Sequence, residues 1–468
     1  MNRPTAPGRG APAALRLSAD PAMRWLSGGR TLLGGSPYRV LRLNGPAAAL
    51  VAGWFAGNPV ADRPEHRRLA DQLVRCGMAH PVHSGILPTA ADVTVVIPFK
   101  GVPGTTPRLP SPGAVAAVVV VDDGCAAPLP RAAARHPVSR GPAAARNTGW
   151  RLARTEFVAF LDADVAPEEG WLGPVLAHFA DPGVAAVAPR VASLPGPTTL
   201  ERYEQHRSPL DLGPLPSVVR PGSRVSYVPT AALVVRVSAL RELGGFDEKL
   251  RFGEDVDFVW RLAASEKHQV RYEPSSVVRH IPRPTWPALL RQRFGYGTSA
   301  APLALRHGRA VAPVRASGWS LLCWAALAAG RPGVTAATAL GTAALLPRRL
   351  KGVGVPAKES LDLALRGHWG VGRLLADAST RAWWPAAVPA LATHRRGRLL
   401  LAAALARHAV DWRRQRPGLD LPRWLAARVA DDLAYGAGVW WGALRHRTVA
   451  PLLPDAADWP GRDGVRSL

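Results

Sequence analysis

Three short aliphatic runs constrain this chain more than anything else in it. VTVVIPF (93–99), AVAAVVVVDDG (114–124) and EFVAFLDADV (156–165) are apolar and β-prone, and helical patterns lie between them. Near-continuous Val runs alternating with helices argue for a parallel sheet buried on both faces. Ligands of such sheets bind at the carboxyl ends of the strands. Each run stops at polar residues: Lys100, then Asp122–Asp123, then Asp162–Asp164. Carboxylates at two strand ends are thereby expected to face one crevice.

Around this core the 468 residues divide into four expected regions. Residues 1–20, rich in Pro, Gly and Arg, read as a disordered tail with no apolar run of signal-peptide length. Residues 21–90 form a small unit. RTLLGG and YRVLRL flank a GGSP turn as a hairpin, GPAAALVAGWFAG follows Asn44 as a helix, and PEHRRLADQLVRCGM is a second, amphipathic one. Residues 91–310 carry the alternating pattern, and residues 311–468 are helical, Ala-, Arg- and Trp-rich. Cys76, Cys125 and Cys323 are far apart, odd in number and outside any CxxC pair, which argues against a disulfide framework or a cysteine zinc site and fits a reducing compartment.

The net charge is +25, and only five of the 59 basic residues are Lys. The Arg excess fits a GC-rich composition bias, and charge alone does not choose among phosphate, nucleic acid and anionic membrane as partners. No basic run interleaved with aromatics lies on a recognisable nucleic-acid fold, so nucleic acid is set aside.

Four motifs occur in a telling order: VVDDG, RGPAAARNTGW, FLDADV and FGEDVDFVWRL. Together they resemble the family-2 glycosyltransferases, over residues 93 to about 300. The resemblance implies an α/β, Rossmann-like GT-A domain and an inverting, metal-dependent transfer from a nucleotide sugar. Such a donor carries a diphosphate leaving group, and a divalent cation (Mg²⁺ or Mn²⁺) held by carboxylates neutralises its charge. By resemblance, Asp164 is the main metal ligand, Asp162 reaches the ribose or the metal, and His280, after YEPSSVVR, is an additional ligand. Asp123 is placed on the uracil N–H, with Asp122 supporting the turn. Arg146 lies along the diphosphate or braces the DxD loop, and Asn147 stands beside it in the donor site. Asp255 is the general base that takes the acceptor's proton, and Glu254 braces the acceptor pocket.

Plainer alternatives stand beside these roles. DDG is also a good turn, acids are favoured at any helix start, and a lone His is commonly a surface or capping residue. Asp257 is expected to be structural. Two departures from the family pattern matter. VPTAALVVR has Ala231 and Ala232 where relatives often place Gly, which leaves the donor sugar open. RQRFGYGTSAA (291–301) lacks the QxxRW of processive synthases, since Gln292-Arg293 does not match its spacing.

The front unit is similar to the winged-helix-like peptide-recognition domains of peptide natural-product pathways, with a simple packing cap as the alternative. Combined with the family-2 core and the Arg/Trp-rich tail, it resembles the glycosyltransferases of the mycofactocin system. That implies a UDP-sugar donor, β-1,4-linked glucose, and a peptide-derived redox cofactor (the mycofactocin precursor) as acceptor. A lipid-linked or cell-wall acceptor is the competing reading, and a non-catalytic peptide-binding module is the third. SGWSLLCWAALAAG (317–330) and GVTAATALGTAALL (333–346) are apolar but short of the ~20 residues of a span. RGRLLLAAALARHAVDWRRQR (396–416), with Trp412 and Trp424, reads as an interfacial helix. Contact with the cytoplasmic face of the cell membrane is the expectation.

Overall fold

The computed structural model describes residues 14–26, 28–101, 107–109, 113–456 and 465–467. The front unit runs β1 (Ala14–Ala19), β2 (Arg24–Trp25), β3 (Thr31–Gly34), β4 (Arg39–Arg42), α1 (Gly45–Phe55), α2 (Pro64–Arg75) and β5 (Ala79–Ser84). Asn44 starts α1 by accepting a hydrogen bond from the Ala47 N–H at 2.9 Å, satisfying a donor that a helix N-terminus leaves free. The expected tail ends before residue 20. β1 pairs antiparallel with β5, because alternation in LRLSA turns Leu17 into a core with Leu32, Leu41, Val51, Trp54 and Leu73. Residues 1–13 of that expected tail lie outside the described residues.

The centre comprises β6 (Val93–Phe99), β7 (Ala117–Asp123), β8 (Ala134–His136), α3 (Pro142–Leu152), β9 (Phe157–Leu161), β10 (Val165–Pro167), α4 (Leu172–Ala177), β11 (Val184–Ser193), α5 (Thr199–Arg207), β12 (Ser217–Val218), β13 (Ala232–Arg236), α6 (Val237–Leu243), α7 (Glu254–Ala264) and β14 (Gln269–His280). The strands form one sheet in the order β10-β14-β11-β13-β9-β6-β7-β8, with β12 beside β14. The period of two sorts side chains between the faces. Val95, Ile97, Phe157, Ala159 and Leu161 join one core with Leu172 and Val175 of α4. Val96, Val158 and Phe160 join the other with Trp150, Phe258 and Leu262 of α3 and α7. The sheet is parallel through β8, β7, β6 and β9. The three runs read from the sequence, β6, β7 and β9, lie in this parallel part, whereas β13 runs antiparallel to both β9 and β11. An apolar run buried on both faces carries no mark of its direction.

The helical region runs α8 (Trp286–Thr298), α9 (Ala300–His307), β15 (Arg315–Ala316), α10 (Gly318–Ala328), α11 (Pro332–Leu350), α12 (Ala357–Thr380), α13 (Trp384–Ala392), α14 (Arg395–Gln415), α15 (Leu421–Arg445), β16 (Asp455–Ala456) and β17 (Val465–Ser467). Among the described residues no helix is long and apolar enough to cross a membrane. The interfacial reading of α14 meets a different obstacle in its tryptophans. Trp424 is fully buried, and its indole N–H donates to the His408 carbonyl at 2.9 Å. The Trp412 indole donates to the Leu419 carbonyl at 2.7 Å. Both rings thus spend their polar edge inside the protein rather than at an interface.

This region is welded to the rest. α8 and α15 cross so closely that a methyl group on Gly297 would overlap the Tyr435 carbonyl, and one on Gly438 the Phe294 carbonyl. Beside the seam, buried Arg293 bonds Glu204 of α5 and Asp431 of α15, each at 3.2 Å, and Tyr203 donates its O–H to Asp431 at 2.8 Å. The front unit is held at Asp20, which accepts from both Arg224 nitrogens at 2.9 Å and contacts His80 at 2.8 Å. Against burial, which raises it, those partners hold the Asp20 carboxyl far below its usual range.

Candidate active site

The turn after β7 is built on two carboxylates. Asp122, fully buried, accepts from the Cys125 N–H at 2.8 Å and the Leu129 N–H at 3.0 Å. Asp123 accepts from the Arg140 and Gly141 N–H groups at 2.9 Å each and from the Ser139 hydroxyl at 2.7 Å, and meets His136 Nδ1 at 2.7 Å. Burial raises both carboxyl pKa values, but these donors outweigh it and hold both below the ordinary range. Asp123 sits at the expected strand end, with both oxygens already engaged in orienting the start of α3.

Arg146, on α3, joins the two remaining acidic motifs. Its Nη2 donates to Asp162 and its Nη1 to Glu254, both at 2.8 Å, and its guanidinium lies 5.9 Å from the Phe246 ring centroid. It is 4% exposed. Burial alone would weaken its charge; the carboxylates of Asp162 and Glu254 instead raise its pKa above the usual value. Of the two placements expected for Arg146, the geometry is that of the brace. Asn147, expected in the donor site, is engaged by protein partners. Its amide nitrogen donates to the Phe246 carbonyl (2.8 Å) and Glu248 (3.0 Å), and its oxygen accepts from the Phe246 N–H (2.9 Å) and the Trp150 indole (3.1 Å). Every polar atom of its side chain is taken, so it pins the loop before α7 to α3. Gly245 in that loop has φ +78, and a side chain there would run into the Asn147 oxygen.

β9 ends at Leu161, and the chain turns through Asp162-Ala163-Asp164 into β10. β10 pairs with the end of β14 in the register Val165↔His280, which carries His280 to Asp164. His280 Nε2 lies 3.4 Å and Arg283 Nη2 3.5 Å from Asp164 Oδ2. Burial raises the Asp164 pKa, and His280 and Arg283 more than offset it, leaving it lowered. His280 is buried, and its Nδ1 has no hydrogen-bond partner among the described residues. No three His, Cys, Asp or Glu side chains among the described residues could hold a metal by themselves. Asp162, expected as a ligand, is turned to Arg146 by a charge-assisted bond. The pair Asp164 and His280 still fits a divalent cation that takes its other ligands from a diphosphate, as Mg²⁺ and Mn²⁺ commonly do.

Glu254 and Asp255 open α7, after Gly253 in the left-handed region. Burial, then repulsion from Asp255, pushes the Glu254 carboxyl up to about 7 despite Arg146. Burial also raises the Asp255 pKa, and Arg146 opposes this. Asp255 accepts from the Val256 N–H at 2.8 Å. Asp257 stands apart, paired to Arg261, Arg306 and His307.

Three residues here escaped the sequence reading. Arg283 faces Asp164. Tyr227 and Tyr296 both lie within the field of Asp255: burial first, then that charge, raises the Tyr227 hydroxyl to about 12 and Tyr296 above its usual value. Tyr296 stands in RFGYGT, a stretch conspicuous for its glycines; Arg283 and Tyr227 carry no local signal.

The sequence resembles known proteins in several comparisons. The family model described as glycosyl transferase family 2 matches residues 117–244. A pre-mycofactocin glycosyltransferase of Mycobacterium tuberculosis is 42% identical over 468 residues, covering 95% of this chain and 98% of that protein. Glycosyltransferase AglE of Haloferax volcanii is 29% identical over 160 residues, 34% of this chain and 50% of that one. Among solved structures, the mannosyltransferase PcManGT of Pyrobaculum calidifontis, in complex with GDP-Man and Mn²⁺, is 17% identical over 75% of this chain and 89% of its own, with a TM-score of 0.37.

Proposed function

Because this chain belongs to glycosyl transferase family 2, we propose that it is a metal-dependent, inverting hexosyltransferase that moves glucose from a UDP-sugar onto a mycofactocin precursor in β-1,4 linkage. The acceptor rests on the similarity to the mycobacterial pre-mycofactocin enzyme, which extends over nearly the full length of both chains.

One observation carries the chemistry. A single buried guanidinium, Arg146, spans the DxD turn and the start of α7. Asp162 of the DxD turn and Glu254, next in the chain to the base, are thereby locked into one frame. Asp164 and His280 would hold the cation, which when bound would supply charge neutralisation for a diphosphate leaving group. Arg283, 3.5 Å from Asp164, would add a second positive charge toward the same phosphates. Asp255 accepts the proton from the acceptor hydroxyl while that oxygen bonds to the anomeric carbon. The bond from that carbon to the diphosphate breaks on the opposite side, and the nucleoside diphosphate leaves. A single displacement inverts the centre, so an α-linked donor gives a β-linked product. Burial, and then the charge of Asp162, make Asp255 a stronger base than a free Asp. Tyr227 and Tyr296 border the acceptor side. Asp123 and Asn147 position α3 and its Arg rather than contacting the donor with free atoms.

The test is nucleotide release from UDP-, GDP- and dTDP-sugars with Mg²⁺ or Mn²⁺, with and without mycofactocin precursor. UDP release that rises with the precursor, with whole-hexose mass increments on it, is expected. Release from another nucleotide alone overturns the donor, and indifference to the precursor overturns the acceptor.

A further inference from the structure

The helical region, with the end of α5, borders an open cavity of about 340 Å³ with a polar wall. Five arginines line it: Arg207 at the end of α5, Arg373 of α12, Arg381 just beyond it, Arg407 of α14 and Arg428 of α15. None of the residues assigned above to donor, metal or base belongs to this wall. Ligand pockets are mostly apolar; a small chamber walled by guanidinium groups is suited to an anion.

The carboxylates present do not balance the wall. Arg407 is spoken for by Asp377, with bonds of 3.0 and 2.9 Å. Arg381 is spoken for by Asp432, at 2.6 Å. Arg428 shares the same Asp432, at 3.5 Å, which with Tyr203 and Asp431 outweighs its burial. Arg207 and Arg373 make no ion pair among the described residues, and Asp411 is the one further acid in the wall. Arg428 is 6% exposed, and its Nε has no partner among the described residues; neither has that of Arg207. Burial, then the charge of Arg428, lowers the Arg207 pKa. A cationic side chain is being held where its charge is unfavourable, and a bound dianion would reverse that.

We propose that this cavity is a second ligand site that binds a phosphate ester, bridging α5 of the sheet domain to α12, α14 and α15. Phosphate suits the wall because planar guanidinium groups grip its oxygens in pairs, and its double charge answers the excess of arginine. The phosphate belongs either to a free small molecule or to a lipid headgroup.

Thermal melts of the full chain at constant ionic strength, with chloride exchanged for inorganic phosphate or pyrophosphate, address the first source. Co-sedimentation with phosphatidylcholine vesicles, with and without phosphatidylglycerol, addresses the second. The variants are Arg373→Gln at the exposed rim, Arg207→Gln, and Asp164→Asn to silence the donor site. Phosphate raises the melting midpoint of the parent and of Asp164→Asn alike, and either Arg variant weakens that response about tenfold or more. Without phosphate, Arg207→Gln melts no lower than the parent, because an unbalanced charge has been removed. If only anionic vesicles bind, and both Arg variants lose that binding, the site is a headgroup site. The proposal fails if both Arg variants respond like the parent to phosphate and to vesicles, or if the phosphate response disappears in Asp164→Asn.

Discussion

Replacing Arg146 with Gln removes the cation shared by Asp162 and Glu254 and keeps a polar side chain of similar length. Breaking a buried ion pair from one side typically costs about 3–5 kcal/mol, because the stranded charge stays out of water. Here the larger part falls on Glu254, since Asp162 is about one-third exposed and can be rehydrated. Glu254 already has its pKa pushed up to about 7 with Arg146 in place, a displacement worth roughly 3 kcal/mol. The sign follows from linkage. An acid whose folded pKa is raised binds its proton more readily folded than unfolded. Its unfavourable contribution is absent below the unfolded value and grows as pH climbs towards the folded one. Arg146 is therefore needed most when Glu254 is ionised. Urea unfolding of Arg146→Gln should show a larger deficit near about pH 8 than near about pH 5, the difference reaching at most about 1.4 kcal/mol, because the higher pH lies only about one unit above the parent Glu254 pKa. Adding Glu254→Gln should restore stability at the higher pH and abolish the difference between the two pH values. An equal deficit at both pH values, or no recovery in the double variant, would refute the claim that Arg146 stabilises the site by holding Glu254.

Asp255→Asn should lower transfer by about 10²–10⁴-fold while nucleotide affinity, read by calorimetry with UDP and Mn²⁺, stays within error; a parallel loss of affinity contradicts the base role. Chelation with EDTA should abolish nucleotide release and Mn²⁺ should restore it, whereas Asp164→Asn should resist rescue at the same Mn²⁺ concentration. Gly438→Ala should destabilise the fold by about 1–3 kcal/mol, seen as a lower melting midpoint; an unchanged midpoint would mean that α8 and α15 do not pack as closely as described.

The strands that place the site could be read from the chain because burial on both faces leaves an unmistakable aliphatic signature at β6, β7 and β9. The acidic ends of those runs marked the DxD turn, and the start of α7 was marked by Glu254-Asp255. Partnerships were not legible. Asn147 meets Phe246 at a separation of 99 residues, and Arg293 meets Glu204 and Asp431 at 89 and 138, in a chain where arginine is everywhere. Composition therefore hid the arginines that matter among those that do not. β1 was lost in a Pro- and Gly-rich tail because its five alternating positions give too brief a signal to outweigh their surroundings. The tryptophans of the helical region suggested a lipid interface, and only the hydrogen bonds of Trp412 and Trp424 reveal which side they face.

The glycine seam between α8 and α15 also decides where this protein can be cut. A boundary near residue 310, natural from the sequence pattern, would keep α8 and discard its partner. The catalytic half would then expose a bare glycine-lined groove. It would also strand Arg293 against Glu204 without Asp431. Removing the helical half should yield an aggregating fragment rather than a smaller transferase, so evolution here can trim loops far more readily than domains.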